Sequence, residues 1–247
     1  MTKTQKQQTV VSVLIFLVIL IIDQVIKISV KTGMTLHESI RITDWFYISY
    51  IENNGMAWGM SIMPKIMLSL FRLVAIFVIG WYIFRQITKG TRWLYVVLLS
   101  MVLAGAAGNL IDCMFYGMIF SGASPNYTSF FVPWGTGYAP FLEGRVVDMF
   151  YFPLIVTNYP DWFPVWGGER FVFFSPVFNF ADASISVSVV SLLLFCRTEI
   201  QQLFKWRKYY TYSYLLWAWH HVPPTPPTFC QWVRWRTSCM IYICHRI

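Results

Sequence analysis

The feature that most constrains this chain is a set of four long apolar stretches, at about residues 10–30, 66–84, 93–111 and 178–196. Each approaches the roughly 20 residues that an α-helix needs to cross the hydrocarbon core of a bilayer. Of the 247 residues, 57% are hydrophobic and only 12% are charged, too few solvating side chains for an ordinary soluble domain. The pattern predicts an all-α integral membrane protein with four transmembrane helices.

The positions of Lys and Arg predict the orientation of these helices, because short basic segments resist translocation across the membrane. Basic residues flank one side of the bundle: Lys3, Lys6, Arg85, Lys89, Arg92, Arg197, Lys205, Arg207 and Lys208. We therefore expect both termini in the cytoplasm and the loops 31–65 and 112–177 on the outer side. The first span resembles a signal peptide but lacks a cleavage site, so we expect it to remain as an anchor.

Two segments of the outer loops, 40–51 and 141–156, are rich in β-branched and aromatic residues that partly alternate with polar ones. This composition predicts a small β-rich domain outside the membrane. The longer loop also carries Trp134, Trp162 and Trp166, which suit the headgroup layer of a bilayer. Simple interfacial anchoring is the favoured explanation for each Trp.

Four carboxylates fall at the outer ends of spans or just beyond them: Asp23, Asp112, Asp148 and Asp182. Ionisable groups at a membrane are costly, so each is a candidate for function. Asp23 and Lys27 have the i, i+4 spacing of an ion pair on one helix face, which also fits a purely structural role. The apolar segment around Asp148 predicts a raised pKa for that carboxyl.

Two of these carboxylates follow an asparagine by three residues, as Asn109 precedes Asp112 and Asn179 precedes Asp182. The first pair comes after the small run AGAAG at 104–108, which allows close helix approach. A polar pair at such a contact can hydrogen-bond across it, so helix packing is an alternative explanation for these residues.

Paired carboxylates in a site of low dielectric share one proton, which supplies a base and an acid together. The base can activate a water while the acid polarises a peptide carbonyl. The chain has no G-x-S-x-G, no H-E-x-x-H and no phosphate-binding glycine loop. The residues therefore favour hydrolysis, with a proton- or ion-coupled membrane carrier as the alternative. The inner halves of the four spans lack acidic residues, which disfavours the carrier.

Five blocks of the chain resemble, in order, those of lipoprotein signal peptidase, also called signal peptidase II: IIDQVIK (21–27), ENNGMAWGM (52–60), GAAGNLIDCMFYG (105–117), GRVVDMFYF (144–152) and FNFADASISV (178–187). The match covers about residues 10–196 and looks most like the Bacteroidetes branch. The resemblance implies an aspartic endopeptidase of the bacterial inner membrane. Such an enzyme removes the signal peptide from diacylglyceryl-modified prolipoproteins, cutting before the lipidated Cys.

The same resemblance implies the site residues, with Asp148 and Asp182 as the catalytic pair at the periplasmic face. Residues that position the pair or the substrate would be Asp23, Lys27, Asn53, Gly55, Asn109, Asp112 and Asn179. The implied partners are lipidated prolipoproteins and membrane lipids, with no nucleic acid, for a protein that acts as a monomer. We expect neither a cofactor nor a metal.

The chain departs from the family pattern in three places. Cys113 follows Asp112 where many members have Arg, and the stretches 113–147 and 149–177 are long. We assign 1–197 to the four-span peptidase domain and 198–247 to an atypical basic, Trp-rich cytoplasmic tail. The tail resembles nothing in the family, and an altered reading frame near the end of the gene is a second explanation for it. Its Cys and His residues have no tight metal-ligand spacing.

Overall fold

The computed structural model describes residues 1–54 and 64–202. The chain divides into two compact units, Met1–Arg197 and Thr198–Ile247, and all of the elements named below belong to the first. Gly55 and most of the tail lie outside the described residues, so the expectations for them stay predictions.

The first unit contains four long helices. They are α1 (Lys3–Gly33), α2 (Lys65–Thr88), α3 (Trp93–Ile111) and α5 (Phe180–Phe195). A π-helical turn at Asp112–Tyr116 and the short helix α4 (Gly117–Ile119) continue α3 without a break. Within the described ranges, three helices are long and apolar enough to cross a membrane, and α5 is a shorter apolar helix of 16 residues.

Two helix starts differ from the boundaries predicted from hydropathy, and local capping explains both. α1 begins at Lys3 because Thr2 and Gln5 form a capping box that satisfies the first free N–H groups. α5 begins at Phe180 rather than at 178, because Val177 and Phe178 belong to a strand and Asn179 caps the helix. Helix ends of this kind depend on side-chain hydrogen bonds that hydropathy does not register.

The predicted small sheet region is present. Its four antiparallel strands have the order β1 (Ser39–Thr43), β2 (Phe46–Asn53), β3 (Val146–Tyr151) and β6 (Val177–Phe178). The segment 141–145 is not a strand, so β3 starts later than predicted. A separate hairpin of β4 (Ile155–Asn158) and β5 (Arg170–Phe173), which was not predicted from the sequence, lies within the long stretch 149–177.

The central helix is α3, which packs against α1, α2 and α5. Two glycines of the small run make the closest approaches possible. A Cβ added to Gly105 would lie 2.5 Å from the carbonyl oxygen of Ala181, and one added to Gly108 would lie 2.6 Å from Asp23 Oδ2. These contacts agree with the prediction of close helix packing at this run. They bring the polar ends of α1, α3 and α5 together beneath strand β3.

Candidate active site

Asp148 lies in the middle of β3 and is only 3% exposed. Its carboxylate accepts hydrogen bonds from Asn179 Nδ2 at 2.7 Å and from Asn53 Nδ2 at 3.2 Å. Burial and, next, the negative charge of Asp182 raise the pKa of Asp148 to about 7, although both asparagine bonds oppose this shift. The raised pKa predicted from the apolar sequence around this residue is therefore found.

Asp182 lies in the first turn of α5, where its spacing from Asn179 is explained by a capping box. The backbone N–H of Asp182 donates to Asn179 Oδ1 at 2.9 Å, and the N–H of Asn179 donates to Asp182 Oδ2 at 3.3 Å. The other oxygen, Oδ1, accepts from Asn109 Nδ2 at 2.8 Å. The carboxylate of Asp182 is thus held from the helix N-terminus and from α3.

The two asparagines connect the two carboxylates. Asn179 is completely buried, and its side-chain Nδ2 bonds both Asp148 and Asn109 Oδ1, the latter at 3.1 Å. Asn109 in turn donates to Asp182. A continuous chain of hydrogen bonds therefore runs from Asp148 through Asn179 and Asn109 to Asp182.

A buried ion cluster supports this chain from the side of α1. Lys27 Nζ lies 2.9 Å from Asp23 Oδ2, 2.8 Å from Asp112 Oδ2 and 2.8 Å from Asn109 Oδ1. Asp23 Oδ1 also accepts from the N–H of Ala181 at 2.9 Å, which joins α1 to the first turn of α5. The expected pair of Asp23 and Lys27 exists, and it contacts the site directly rather than only stabilising the end of a span.

Gln24 and Tyr116 belong to the same network and were not predicted from the sequence. Gln24 Nε2 donates to Asp112 Oδ1 at 3.0 Å, and Gln24 Oε1 accepts a bond of 3.1 Å from the Tyr116 hydroxyl. Gln24 lies in the block IIDQVIK, but an amide next to an ion pair does not by itself indicate a site residue. Tyr116 points inward because the π-helical turn shifts the phase of the helix by a residue.

Cys113, the position that departs from the family pattern, is buried and lies beside a guanidinium from another helix. Arg72 Nη1 of α2 is 3.3 Å from Cys113 Sγ. Position 113 therefore lacks the arginine found in many members, but Arg72 places a guanidinium next to it. This contact gives Arg72, a charged residue in the apolar helix α2, a partner.

Of the nine predicted site residues, the structure joins eight in one hydrogen-bonded network: Asp23, Lys27, Asn53, Asn109, Asp112, Asp148, Asn179 and Asp182. Gly55 is outside the described residues. Among the residues that the structure describes, no three His, Cys, Asp or Glu side chains are placed to hold a metal ion. Two carboxyl groups linked through amide hydrogen bonds are able to give and take protons.

A model of the family described as signal peptidase (SPase) II matches residues 15–197. The chain belongs to the signal peptidase II family. The lipoprotein signal peptidase of Porphyromonas gingivalis (strain ATCC 33277) is 49% identical to it over 189 residues, which cover 76% of this chain and 83% of that protein. The lipoprotein signal peptidase of Amoebophilus asiaticus is 36% identical over 196 residues, covering 76% and 78%.

Its fold also resembles a solved bacterial membrane enzyme, with a TM-score of 0.50, 23% identity, and coverage of 77% of this chain and 90% of that one. The predicted resemblance to signal peptidase II, including its Bacteroidetes character, is confirmed. The chain is an aspartic peptidase with apolar helices typical of a membrane protein. Its membership of this family favours the peptidase over the membrane carrier.

Proposed function

We propose that Asp148 and Asp182 cleave diacylglyceryl-modified prolipoproteins just before the lipidated Cys. The observation that carries this proposal is the position of Asn179, whose side chain bonds Asp148 while its backbone N–H bonds Asp182. One residue thereby holds two carboxylates from different elements at one place. An arrangement of this kind suits two groups that act on the same water and the same peptide bond.

The environments of the two carboxyls support different starting roles. Asp148, with its pKa raised to about 7, holds the proton and donates it to the carbonyl oxygen of the scissile bond. Asp182 takes a proton from the attacking water, whose oxygen bonds to the carbonyl carbon. When the C–N bond breaks, the proton on Asp182 passes to the leaving amine and Asp148 recovers its proton from the collapsing intermediate.

The buried ion cluster has a positioning role in this proposal. Lys27 neutralises part of the charge of Asp23 and Asp112 and holds the Oδ1 atom of Asn109. This leaves the Nδ2 group of Asn109 directed at Asp182. A fixed donor on the base keeps it oriented without solvent reorganisation during the reaction.

The membrane arrangement that we propose has four spans, both termini in the cytoplasm, and the site at the periplasmic face of the inner membrane. The 16 residues of α5 extend about 24 Å, against a hydrocarbon core of about 30 Å, and strand β6 leads directly into the cap of this helix. Loops 31–65 and 112–177 are periplasmic in this arrangement. Residues 1–197 form the peptidase domain, residues 198–247 are a cytoplasmic tail, and the enzyme acts as a monomer in contact with membrane lipids.

The test is cleavage of a diacylglyceryl-modified prolipoprotein by the purified protein in detergent. Asp148→Asn and Asp182→Asn should each lower kcat by more than about 1000-fold, because Asn keeps the shape but cannot exchange the proton. Asp161→Asn removes an exposed carboxylate from the same outer loop and should leave kcat unchanged. Activity of Asp148→Asn above a tenth of the wild-type value contradicts the assignment.

A further inference from the structure

A second buried ion network lies on strand β2, next to the site but separate from it. Glu52 Oε1 forms an ion pair with Lys31 Nζ of α1 and accepts a hydrogen bond of 2.9 Å from the Tyr50 hydroxyl. Its other oxygen, Oε2, lies 3.1 Å from Arg145 Nη1. The side chains of Lys31 and Glu52 are almost fully inaccessible, whereas that of Arg145 is 45% exposed.

Lys31 is enclosed by aromatic rings that replace its hydration only partly. Its ammonium lies 5.0 Å from the ring centre of Tyr138, 5.3 Å from that of Phe120 and 6.0 Å from that of Tyr50. A buried ammonium is costly unless an anion pairs with it, and removal of one partner leaves an uncompensated charge. The buried ammonium of Lys31 is therefore stable only when the carboxylate of Glu52 lies beside it.

Glu52 is in the ionised state that this ion pair requires. Burial by itself would raise the pKa of Glu52, but the charge of Lys31, together with hydrogen bonds from Lys31, Tyr50 and Arg145, outweighs it. The pKa is held below its ordinary value, so Glu52 stays ionised at neutral pH.

The pairing of β2 with β3 connects this network to the site. Glu52 lies opposite Val147, while the next residue, Asn53, lies opposite Val146, and Ile51 lies opposite Asp148. Side chains alternate between the faces of a strand, so Glu52 is on one face while Asn53 and Asp148 share the other. A slip by one residue would exchange the two faces.

Asn53 needs such a constraint, because it is the last residue of β2. Its Nδ2 group donates to Asp148 Oδ2 over 3.2 Å. The ion pair of its neighbour with Lys31 provides a strong anchor at this strand end, and Arg145 adds a contact from the residue that precedes β3. A buried polar pair that sets register is a recognised use of such pairs.

We propose that Glu52, anchored by Lys31, is a positioning residue for Asp148 that acts by keeping Asn53 in register against β3. The proposal rests on the proposed function, since it takes Asp148 as catalytic. Glu52 has no contact with the reacting atoms in this scheme, and its effect on catalysis passes entirely through Asn53.

The test is a double-mutant cycle with Glu52→Gln, Asn53→Ala and the two together, measured as kcat and KM for a diacylglyceryl-modified prolipoprotein. Glu52→Gln should lower kcat by about 10- to 100-fold with KM changed less than about threefold, because misplacement of a site group acts on the chemical step. In the Asn53→Ala background the same substitution should cost less than about twofold. The proposal is wrong if the double variant loses kcat by the product of the two single losses, which would show that the residues act independently. It is also wrong if Glu52→Gln has the wild-type kcat.

The pH profile provides a readout that a general loss of stability would not move. The Asn53 hydrogen bond favours the ionised form of Asp148, so its loss should raise the pKa of that carboxyl. In the dependence of kcat on pH, the limb that reports Asp148 should therefore shift to higher pH in Glu52→Gln, by about the same amount as in Asn53→Ala. A lower rate with an unmoved limb contradicts the positioning role.

Two further variants make the outcome decisive. Arg145→Gln removes the outer contact of Glu52 without leaving a buried charge unpaired, so it should fold and lower kcat by about threefold, again only when Asn53 is present. Asp44→Asn removes an exposed ion pair with Arg41 elsewhere in the same sheet and should change neither kcat nor the pH limb. An active Asp148→Asn enzyme would refute the proposed function itself, whereas multiplied effects in the cycle refute only the role of Glu52.

Discussion

Asn179 donates a hydrogen bond of 2.7 Å to Asp148 although the two residues lie in different elements, a helix cap and the middle of a strand. The same side chain accepts, through Oδ1, the bond that caps α5. Asn179 therefore combines a stabilising role with a role in the site, and substitutions can separate the two.

We predict that Asn179→Ser keeps most of the stability and loses most of the activity. Serine is as good an N-cap as asparagine, but it is too short to reach Asp148. Asn179→Ala should lose both, with a cost of about 1 kcal/mol for the missing cap. Thermal unfolding and kcat of the two variants check this. Equal melting temperatures for Ser and Ala, or full activity of Asn179→Ser, would contradict it.

The raised pKa of Asp148 predicts a stability that depends on pH. The pKa rises from the ordinary 3.8 to about 7 in the folded protein. The folded state thus binds more protons than the unfolded state between these values, so this group favours folding at low pH and opposes it as the pH rises through 7. The full effect is on the order of 4 kcal/mol.

Asp148→Asn removes the buried carboxylate, so it should raise the melting temperature in detergent, by little near pH 4 and by several degrees at pH 8. Asp161→Asn, which changes an exposed carboxylate, should show no such trend. The measurement is thermal unfolding of the three proteins across this pH range. A gain for Asp148→Asn that is equal at both ends would show that the pKa is not raised.

Close packing of α3 against α5 predicts that Gly105→Ala is damaging. The new Cβ would lie 2.5 Å from the carbonyl oxygen of Ala181 and 2.7 Å from Ile185, so backbone must move. We expect a loss of about 1–3 kcal/mol and a lower kcat, because the first turn of α5 carries Asp182. Gly80→Ala in α2 is the matched control, since its nearest neighbour is 4.0 Å away. An unchanged melting temperature in Gly105→Ala would contradict this packing.

The parts of the fold that follow local rules could be predicted from the sequence. Apolar runs indicate the long helices, and the i, i+3 spacing of Asn179 and Asp182 indicates a polar helix end. The contacts that assemble the site are not local. Lys31 of α1 meets Glu52 of β2 across 21 residues of sequence, and Tyr116, in the π-helical turn, meets Gln24 across 92. No period within either segment predicts these meetings.

The hairpin of β4 and β5 was missed for a related reason. Its strands are short and separated by residues 159–169, which include Trp162 and Trp166. Tyr159 contacts the rings of Phe163, Trp166 and Phe171, so a small aromatic cluster closes the hairpin. Aromatic residues that pack together need not alternate in sequence, and the interpretation of the Trp residues as interfacial anchors did not include their contacts with Tyr159 and Phe163.

The last prediction is that the tail beyond about residue 208 is dispensable for catalysis. The family match ends at residue 197, and the eight described site residues lie within Met1–Arg197. The tail includes the tract VPPTPP at 222–227, which would interrupt any continuous helix, and the aromatic-rich segment 209–221, whose 13 residues are too few to cross a bilayer. A chain truncated after Lys208 keeps the basic residues after α5 that support its orientation, so it should insert and cleave a diacylglyceryl-modified prolipoprotein at the wild-type rate. Loss of cleavage by a truncated protein that still accumulates in the membrane would assign the tail a role in the enzyme.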